Sequence, residues 1–169
     1  MPAARVEAGV SGILIEDRSR RPGHFELRLL YPNRPFAVRR ALGSVMQGLS
    51  DLGLAEEAAA NVELVLAEVL NNVAEHAYSD DPTGLVELRI ARREGHLEIR
   101  VADEGRPMPL GRLPHPGAPD TAPAGGDLPE GGFGWLLIRS LARGLRYERR
   151  GDTNHLSFEM HFDRPLRGS

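Results

Sequence analysis

The spacing of apolar residues along the chain predicts five strands and three helices. Apolar and polar residues alternate in the predicted strands, at 25–30, 85–91, 96–102, 145–149 and 154–162. Apolar residues recur every three or four positions in the predicted helices, at 36–52, 55–77 and 134–142. The order β-α-α-β-β-loop-α-β-β indicates an α+β fold, a two-layer α/β sandwich. We expect a mixed, mostly antiparallel sheet with the helices on one face.

Two of the predicted helices have an apolar face. On the longer one, apolar residues spaced as neighbours on a single face are Val62, Val65, Leu66, Val69 and Val73. The helix before it has Asn33 as a candidate cap, with Pro35 in the first turn and Gly53 as its stop. The core candidates of that helix are Phe36, Val38, Leu42, Val45, Met46 and Leu49.

The length of 169 residues fits one domain. Residues 1–22 are either a loose arm or an extra edge strand at about 11–16, and the domain itself covers 23–169. Glycine and proline make up half of the 28 positions from Gly105 to Gly132, with seven of each. A loop of that length inside one domain either has a function or is disordered.

Composition excludes several classes of protein. The chain has no cysteine, which removes disulfides, thiolate zinc sites and a cysteine nucleophile. Its six histidines show no metal-ligand spacing. The net charge of −3 disfavours direct binding of nucleic acid. The sequence contains no apolar run of about 18 residues and no secretion signal, so we expect a soluble cytoplasmic protein that contacts no membrane.

A polar stripe runs along the second helix, opposite its apolar face. Glu68, Asn72 and His76 follow one another at four-residue steps, each of which turns only about 40° around the axis. Asn61 and Glu75 lie beside them. A solvated face is the ordinary explanation, but asparagine in mid-helix costs propensity and the stripe lacks lysine and arginine partners. A carboxylate beside an amide oxygen suits Mg²⁺ held together with phosphates.

Two glycine-containing segments complete the candidate chemistry. Asp103, at the end of a strand, is followed by Gly105, which is a common turn but also leaves a carboxylate at the rim of the sheet. Gly131, Gly132 and Gly134 come directly before the third helix. Glycines there expose N–H groups at the positive end of the helix dipole, which is a phosphate site. The simpler explanation is a loop that needs a left-handed backbone.

In this order and at this spacing, the three motifs resemble the N, G1 and G2 boxes of the GHKL (Bergerat-fold) ATPases. Within that superfamily the chain is similar to the anti-sigma-factor serine/threonine kinases of bacteria. The resemblance covers about 25–162. The matching residues are Glu68-Val69-Leu70-Asn71-Asn72 with Glu75-His76-Ala77-Tyr78, then Asp103-x-Gly105-x-Pro107, and then Gly131-Gly132-x-Gly134.

The resemblance implies a role for several of these residues. Glu68 would be the catalytic base, and Asn72 would hold Mg²⁺ against the phosphates of ATP, although the neighbouring Asn71 leaves the metal ligand ambiguous. Asp103 would accept the adenine amino group, and Gly105 would make room for the ring. The loop at about 106–130 would be an ATP lid. The remaining nucleotide-binding candidates are His76, Pro107, Gly131, Gly132, Gly134 and Thr153, with Asn154 as the alternative to Thr153.

The resemblance also implies an activity and partners. The chain would be a protein serine/threonine kinase that uses ATP and Mg²⁺, phosphorylates an anti-sigma-factor antagonist of the STAS type and sequesters a sigma factor. It would form a homodimer. Two alternatives stay open: a nucleotide-binding interaction module without phosphotransfer, and an α+β scaffold without nucleotide. A basic run is either a solvated edge or a docking patch for an acidic partner: Arg139, Arg143, Arg146, Arg149 and Arg150.

Overall fold

The structure, a computed structural model, describes residues 5–9, 12–21, 24–77, 84–114 and 132–162. Its strands are β1 Arg5–Gly9, β2 Gly12–Arg21, β3 His24–Pro32, β4 Leu85–Arg93, β5 His96–Asp103, β6 Arg143–Arg150 and β7 Thr153–His161. Its α-helices are α1 Pro35–Ser50, α2 Glu56–Asn72 and α3 Gly132–Leu141. A π-helical turn, Val73–Ala77, extends α2, and a 3₁₀ turn covers Pro109–Gly111. None of the described helices is long and apolar enough to cross a membrane.

The strands form one sheet in the order β1-β2-β3-β4-β5-β7-β6. Every pairing between the described strands is antiparallel. Strands that are neighbours in the sequence pair directly, except that β5 pairs with β7 instead of β6. The start of β7 therefore lies beside the end of β5, with Asn154 opposite Asp103.

The helices cover one face of the sheet. Burial alternates along the four strands β3, β4, β5 and β7, so that only one face of the sheet is buried. The core combines that face with the apolar sides of the helices, as in Leu88 and Phe158 packed with Val45, Leu66 and Ile138. Full burial of such a side chain contributes about 1.5–3 kcal/mol. The predicted α+β sandwich is confirmed.

The start of α1 differs from its predicted form. The N-cap position is Arg34, which is extended and makes no side-chain cap, and Pro35 follows in the first turn. Asn33 is not the cap, because it is buried and its N–H donates to the Gly84 carbonyl at 2.7 Å. Phe36, predicted in the core, is 60% exposed. It lies about 200° around the helix from the buried Val38, on the opposite side.

The predicted apolar face of α2 is confirmed, because all of its members are buried: Val62, Val65, Leu66, Val69 and Val73. The α-helix ends at Asn72, however, and the next five residues form the π-helical turn. Residues in a π turn bond five positions along the chain instead of four, so the backbone at His76 does not continue the α-helical spacing of Glu68 and Asn72. π-helical turns are rare in proteins, and those that occur in helices are often found at functional sites.

The N-terminal segment adds two strands to the sheet. β2 pairs along β3, from Ile15 opposite Leu30 to Arg21 opposite His24, and β1 pairs with β2. β2 is longer than the edge strand that the sequence allowed at 11–16, and β1 was not predicted. β1 forms one edge of the sheet and β6 forms the other.

Candidate functional site

Asp103 ends β5 on the helix-covered face, with only 7% of its surface exposed. Its Oδ1 atom accepts hydrogen bonds from the Gly105 N–H and from Asn154 Nδ2, both at 2.9 Å. Its Oδ2 atom accepts none from the residues that the structure describes. Burial raises the pKa of the Asp103 carboxyl, while the two hydrogen bonds and the Arg149 charge act in the opposite direction. Asp103 therefore presents one acceptor atom in a largely desolvated position.

Asn154 connects this carboxylate to the loop that follows β5. Its Nδ2 atom also donates to the carbonyls of Gly105 and Arg106, at 3.2 and 3.0 Å. Its Oδ1 atom accepts from the Tyr147 hydroxyl and from Arg149 Nη1, both at 2.7 Å. Sequence reasoning missed the contributions of Tyr147 and Arg149, because their partners are distant in the chain or depend on the pairing of β6 with β7.

The structure brings Asn154, and not Thr153, to Asp103. Successive residues of a strand point to opposite faces, and Thr153 is the half-buried residue before the buried Asn154. The sequence contained a signal for this choice. Asn154 shares its parity with the apolar residues of β7 that face the core: Leu156, Phe158 and Met160.

A second cluster joins α2 to the beginning of α3. Gly134 lies so close to α2 that a Cβ atom on it would be 2.5 Å from Glu68 Oε2 and 3.9 Å from Asn72 Nδ2. Asn72 Nδ2 is buried and has no hydrogen-bond partner in the described part of the chain. Leaving a buried donor unsatisfied costs about 1–3 kcal/mol. An acceptor supplied by a ligand, such as a phosphate oxygen, would satisfy it.

The other residues predicted to bind nucleotide or metal in this region lie on α2, in the π turn, in α3 or outside the described residues. Asn71 is exposed, so it is Asn72 that faces Gly134. α3 begins at Gly132, so Gly134 belongs to its first turn, whose N–H groups have no partner within the helix. His76 lies in the π turn. Gly131 is outside the described residues.

The first residues of the predicted lid are attached to the Asp103 cluster. The Met108 N–H donates to the Tyr147 hydroxyl at 2.9 Å, and Arg149 Nη1 donates to the Gly105 carbonyl at 2.9 Å. Pro107, between these contacts, is exposed. This part of the lid is thus held by β6 through two main-chain contacts.

Further along, the lid contacts α3. Arg139 donates to the Pro114 carbonyl, from Nη2 at 2.8 Å and from Nε at 3.3 Å. The segment 105–114 therefore connects the Asp103 cluster to the helix that carries Gly134. Two members of the predicted basic run, Arg139 and Arg149, thus bind main-chain carbonyls at the site. The rest of the predicted lid, 115–130, lies outside the described residues.

The donor set fits a magnesium–phosphate group better than a metal ion held by protein alone. Within the described ranges, no three His, Cys, Asp or Glu side chains are grouped so that they could hold a metal ion. Mg²⁺ binds through one or two protein oxygens and shares the rest of its ligands between water and substrate phosphates. Glu68 and Asn72, beside the start of α3, offer that combination of oxygen ligands and N–H donors.

A sandwich with a buried acceptor at a strand end, and a carboxylate and an amide against a glycine-led helix, defines a class of nucleotide-binding ATPase domain. Residues 31–160 match the family described as histidine kinase-like ATPase domain. The match covers most of the chain, and the chain belongs to this family.

The similar proteins include several kinases. The chain is 27% identical to the serine-protein kinase RsbW of Oceanobacillus iheyensis, over 68% of this chain and 73% of that protein. It is 30% identical to RsbW of Bacillus subtilis, over 59% of this chain and 62% of that protein. It is also 30% identical to the serine/threonine-protein kinase BtrW of Bordetella bronchiseptica, over 56% of this chain and 64% of that protein. The chain thus spans less than two thirds of the last two kinases.

One solved structure supports the fold. The crystal structure of the RsbU and RsbW domains of Rv1364c from Mycobacterium tuberculosis superposes with a TM-score of 0.57 and 16% identity. The superposition covers 92% of this chain and 36% of that chain. At that identity the likeness concerns the fold alone.

Replacing Asp103 with asparagine is expected to stabilise the ligand-free protein at neutral pH. Asparagine Oδ1 can accept the same two hydrogen bonds without a buried charge. Because burial raises the pKa of Asp103 in the folded state, its contribution to stability is largest at low pH and is lost as the pH rises through that pKa. The advantage of Asp103→Asn in urea unfolding should therefore grow from acid to neutral pH.

Glu63→Gln, at an exposed position of α2, is the control for this experiment. It makes the same change from carboxylate to amide at a position without burial. If Asp103→Asn is less stable than the unmodified chain by the same amount at every pH, burial of the Asp103 carboxylate does not lower the free energy of unfolding.

Proposed function

We propose that this chain binds ATP with Mg²⁺ and transfers the γ-phosphoryl group to a serine or threonine hydroxyl of a partner protein. The observation that carries the proposal is the convergence of Glu68 and Asn72 on Gly134 at the beginning of α3. Membership of the ATPase family supports nucleotide binding. The relatives named serine-protein kinase support transfer to protein.

In this proposal the two clusters bind the two ends of the nucleotide. Asp103 Oδ2, which accepts no hydrogen bond from the described residues, accepts one from the amino group of adenine. The N–H groups at Gly132 and Gly134 bind phosphate oxygens at the positive end of α3. Asn72 holds Mg²⁺, and the ion supplies charge that offsets the negative charge of the phosphates.

Glu68 serves as the base in the transfer step. The hydroxyl oxygen of the substrate forms a bond to the γ-phosphorus while the bond between that phosphorus and the β–γ bridging oxygen breaks, which releases ADP. The hydroxyl proton passes to the Glu68 carboxylate. Phosphoryl transfer needs positioning and charge more than covalent help from the protein, and a placed carboxylate supplies the remaining acid–base step.

The proposed partners follow from the resemblance to anti-sigma-factor kinases. The substrate is an anti-sigma-factor antagonist of the STAS type, and the chain sequesters a sigma factor as a homodimer in the cytoplasm. The relatives named serine-protein kinase RsbW support the kinase step of this circuit. The second candidate is an interaction module that binds ATP without transferring phosphate, and the experiment below separates the two.

Glu68→Gln is expected to abolish phosphotransfer while ATP still binds. The amide keeps the shape of the side chain but cannot accept a proton, and general-base catalysis contributes about 10²–10⁴-fold to a rate. The full chain is incubated with Mg²⁺, ATP labelled at the γ-phosphate and a STAS-type antagonist, and label on the antagonist is measured. ATP affinity is measured separately by calorimetry.

Glu63→Gln is the matched control, because it makes the same change on the exposed side of the same helix. It should transfer phosphate at the unmodified rate. Binding of Mg²⁺-ATP by the unmodified chain with no transfer to any antagonist would favour the interaction module. Transfer by Glu68→Gln at the rate of the unmodified chain would show that Glu68 is not the base in the reaction.

Gly134→Ala is expected to lower phosphotransfer without lowering stability. Gly134 lies inside α3, where alanine is favoured by about 0.8–1.0 kcal/mol. The added Cβ would meet the Glu68 carboxylate and force it to move. A displacement of about 1 Å at a catalytic group can cost about 10²-fold in rate. Thermal unfolding and the phosphotransfer assay measure the two effects.

Gly43→Ala controls for the change in helix propensity. Gly43 lies inside α1, and a Cβ atom there would meet nothing within 4 Å. Both variants should unfold at or above the temperature of the unmodified chain, and only Gly134→Ala should lose transfer. Full activity in Gly134→Ala would show that the approach of α3 to Glu68 has no catalytic importance.

A further inference from the structure

The amide group of Asn154 is fully occupied by hydrogen bonds. Its oxygen accepts two bonds, from Tyr147 and Arg149, and its nitrogen donates to Asp103 and to the carbonyls of Gly105 and Arg106. Only 4% of Asn154 is exposed. An amide oxygen has two lone pairs and an amide nitrogen has two hydrogens, so no bonding capacity of this side chain is left over.

Tyr147 and Arg149 determine which way this amide faces. The Arg149 guanidinium has only donors, so the atom opposite it must be an oxygen. Reversing the amide would set its nitrogen against the Arg149 donor and its oxygen against the Asp103 carboxylate and the loop carbonyls. Both contacts would be repulsive. The donors on β6 therefore direct the amide nitrogen toward Asp103.

The direction of the amide in turn determines which atom of Asp103 is available. The Asn154 nitrogen and the Gly105 N–H both bond to Oδ1, which leaves Oδ2 as the atom without a partner among the described residues. The loop after β5 is held by the same groups, through the Gly105 carbonyl on Arg149 and the Met108 N–H on Tyr147. Carboxylate and loop are thus aligned by the same two side chains of β6, Tyr147 and Arg149.

We propose that Tyr147 and Arg149 are positioning residues for purine recognition: they orient the Asn154 amide, which presents Asp103 Oδ2 to the exocyclic amino group of adenine. This inference rests on the proposed function, because it assumes that Asp103 accepts a hydrogen bond from adenine. It predicts that both residues contribute to the choice of base and not merely to stability. Sensitivity to the 6-amino group is the property that distinguishes the two roles.

The test compares two nucleotides in the full chain with Mg²⁺: ATP, and purine riboside triphosphate, which lacks the 6-amino group. A hydrogen bond to a charged acceptor gives the unmodified chain a preference for ATP of roughly ten- to a hundredfold. Tyr147→Phe and Arg149→Met should each reduce that preference by about three- to tenfold, the range of one ordinary hydrogen bond. Their affinity for the analogue should change less than their affinity for ATP.

Arg150→Met is the matched control, since Arg150 is the next residue of β6, is exposed and donates to Glu148 instead of Asn154. Its preference for ATP should equal that of the unmodified chain. Faster amide exchange at 105–108 in Tyr147→Phe, with the global unfolding temperature nearly unchanged, is the second expected result.

Three outcomes would overturn the inference in different ways. If the unmodified chain binds neither nucleotide, the proposed function fails and the inference fails with it. If the unmodified chain binds both nucleotides equally, Asp103 does not read the 6-amino group, and the inference is wrong although ATP binding stands. If the unmodified chain prefers ATP, and both variants lose affinity for the two nucleotides by the same factor, Tyr147 and Arg149 only stabilise the fold and the inference alone is wrong.

Discussion

A buried carboxylate has to be compensated, and in this protein the compensation of Asp103 organises the end of the sheet. The carboxylate lies at the end of β5 on the face covered by helices, where water is largely excluded. Its hydrogen bonds come from the turn directly after it and from Asn154 on β7. That second contact requires β7, and not β6, to pair with β5. The strand order of the last hairpin and the position of the candidate site are therefore linked.

The same region carries costs that folding alone does not explain. Burial raises the pKa of the Asp103 carboxyl, and Asn72 Nδ2 is buried without a hydrogen-bond partner among the described residues. Both effects lower the stability of the ligand-free protein at neutral pH. Glycine at position 134 is less favourable in a helix than alanine, but it allows the close approach of α3 to Glu68. Costs of this kind are typical of residues retained for a ligand instead of for the fold. The costs at Asp103, Asn72 and Gly134 lie on the two clusters that the segment 105–114 connects.

Much of the fold follows from local patterns in the sequence. The alternation in β3, β4, β5 and β7 and the apolar face of α2 are strong signals, because a half-buried strand or helix must repeat with its own period. The N-terminal strands were harder to predict, since pairing with β3 decides their length. Asn33 and Phe36 were misassigned because the tertiary environment overrode local preference, through the contact of Asn33 with Gly84 and the rotation of Phe36 away from the core.

For a similar reason, some residues of the site could be predicted from the sequence and others could not. Glu68, Asn72, Asp103 and Gly134 belong to short motifs with regular spacing, and the structure brings them to two clusters that the segment 105–114 connects. The choice of Asn154 over Thr153 could have been made from the parity of β7. The contacts of Tyr147 with Met108, and of Arg139 with Pro114, join residues far apart in the sequence. No local pattern encodes such contacts, so they emerge only from the folded chain.

The proposed function requires the Asp103 cluster and the Glu68–Asn72–Gly134 cluster to bind the two ends of one nucleotide. A crystal structure of the full chain with Mg²⁺ and a non-hydrolysable ATP analogue would show whether they do. We predict the amino group of adenine on Asp103 Oδ2 and the phosphates between Asn72 and the first turn of α3. A nucleotide bound on the helix-free face of the sheet, or with its base away from Asp103, would contradict the account.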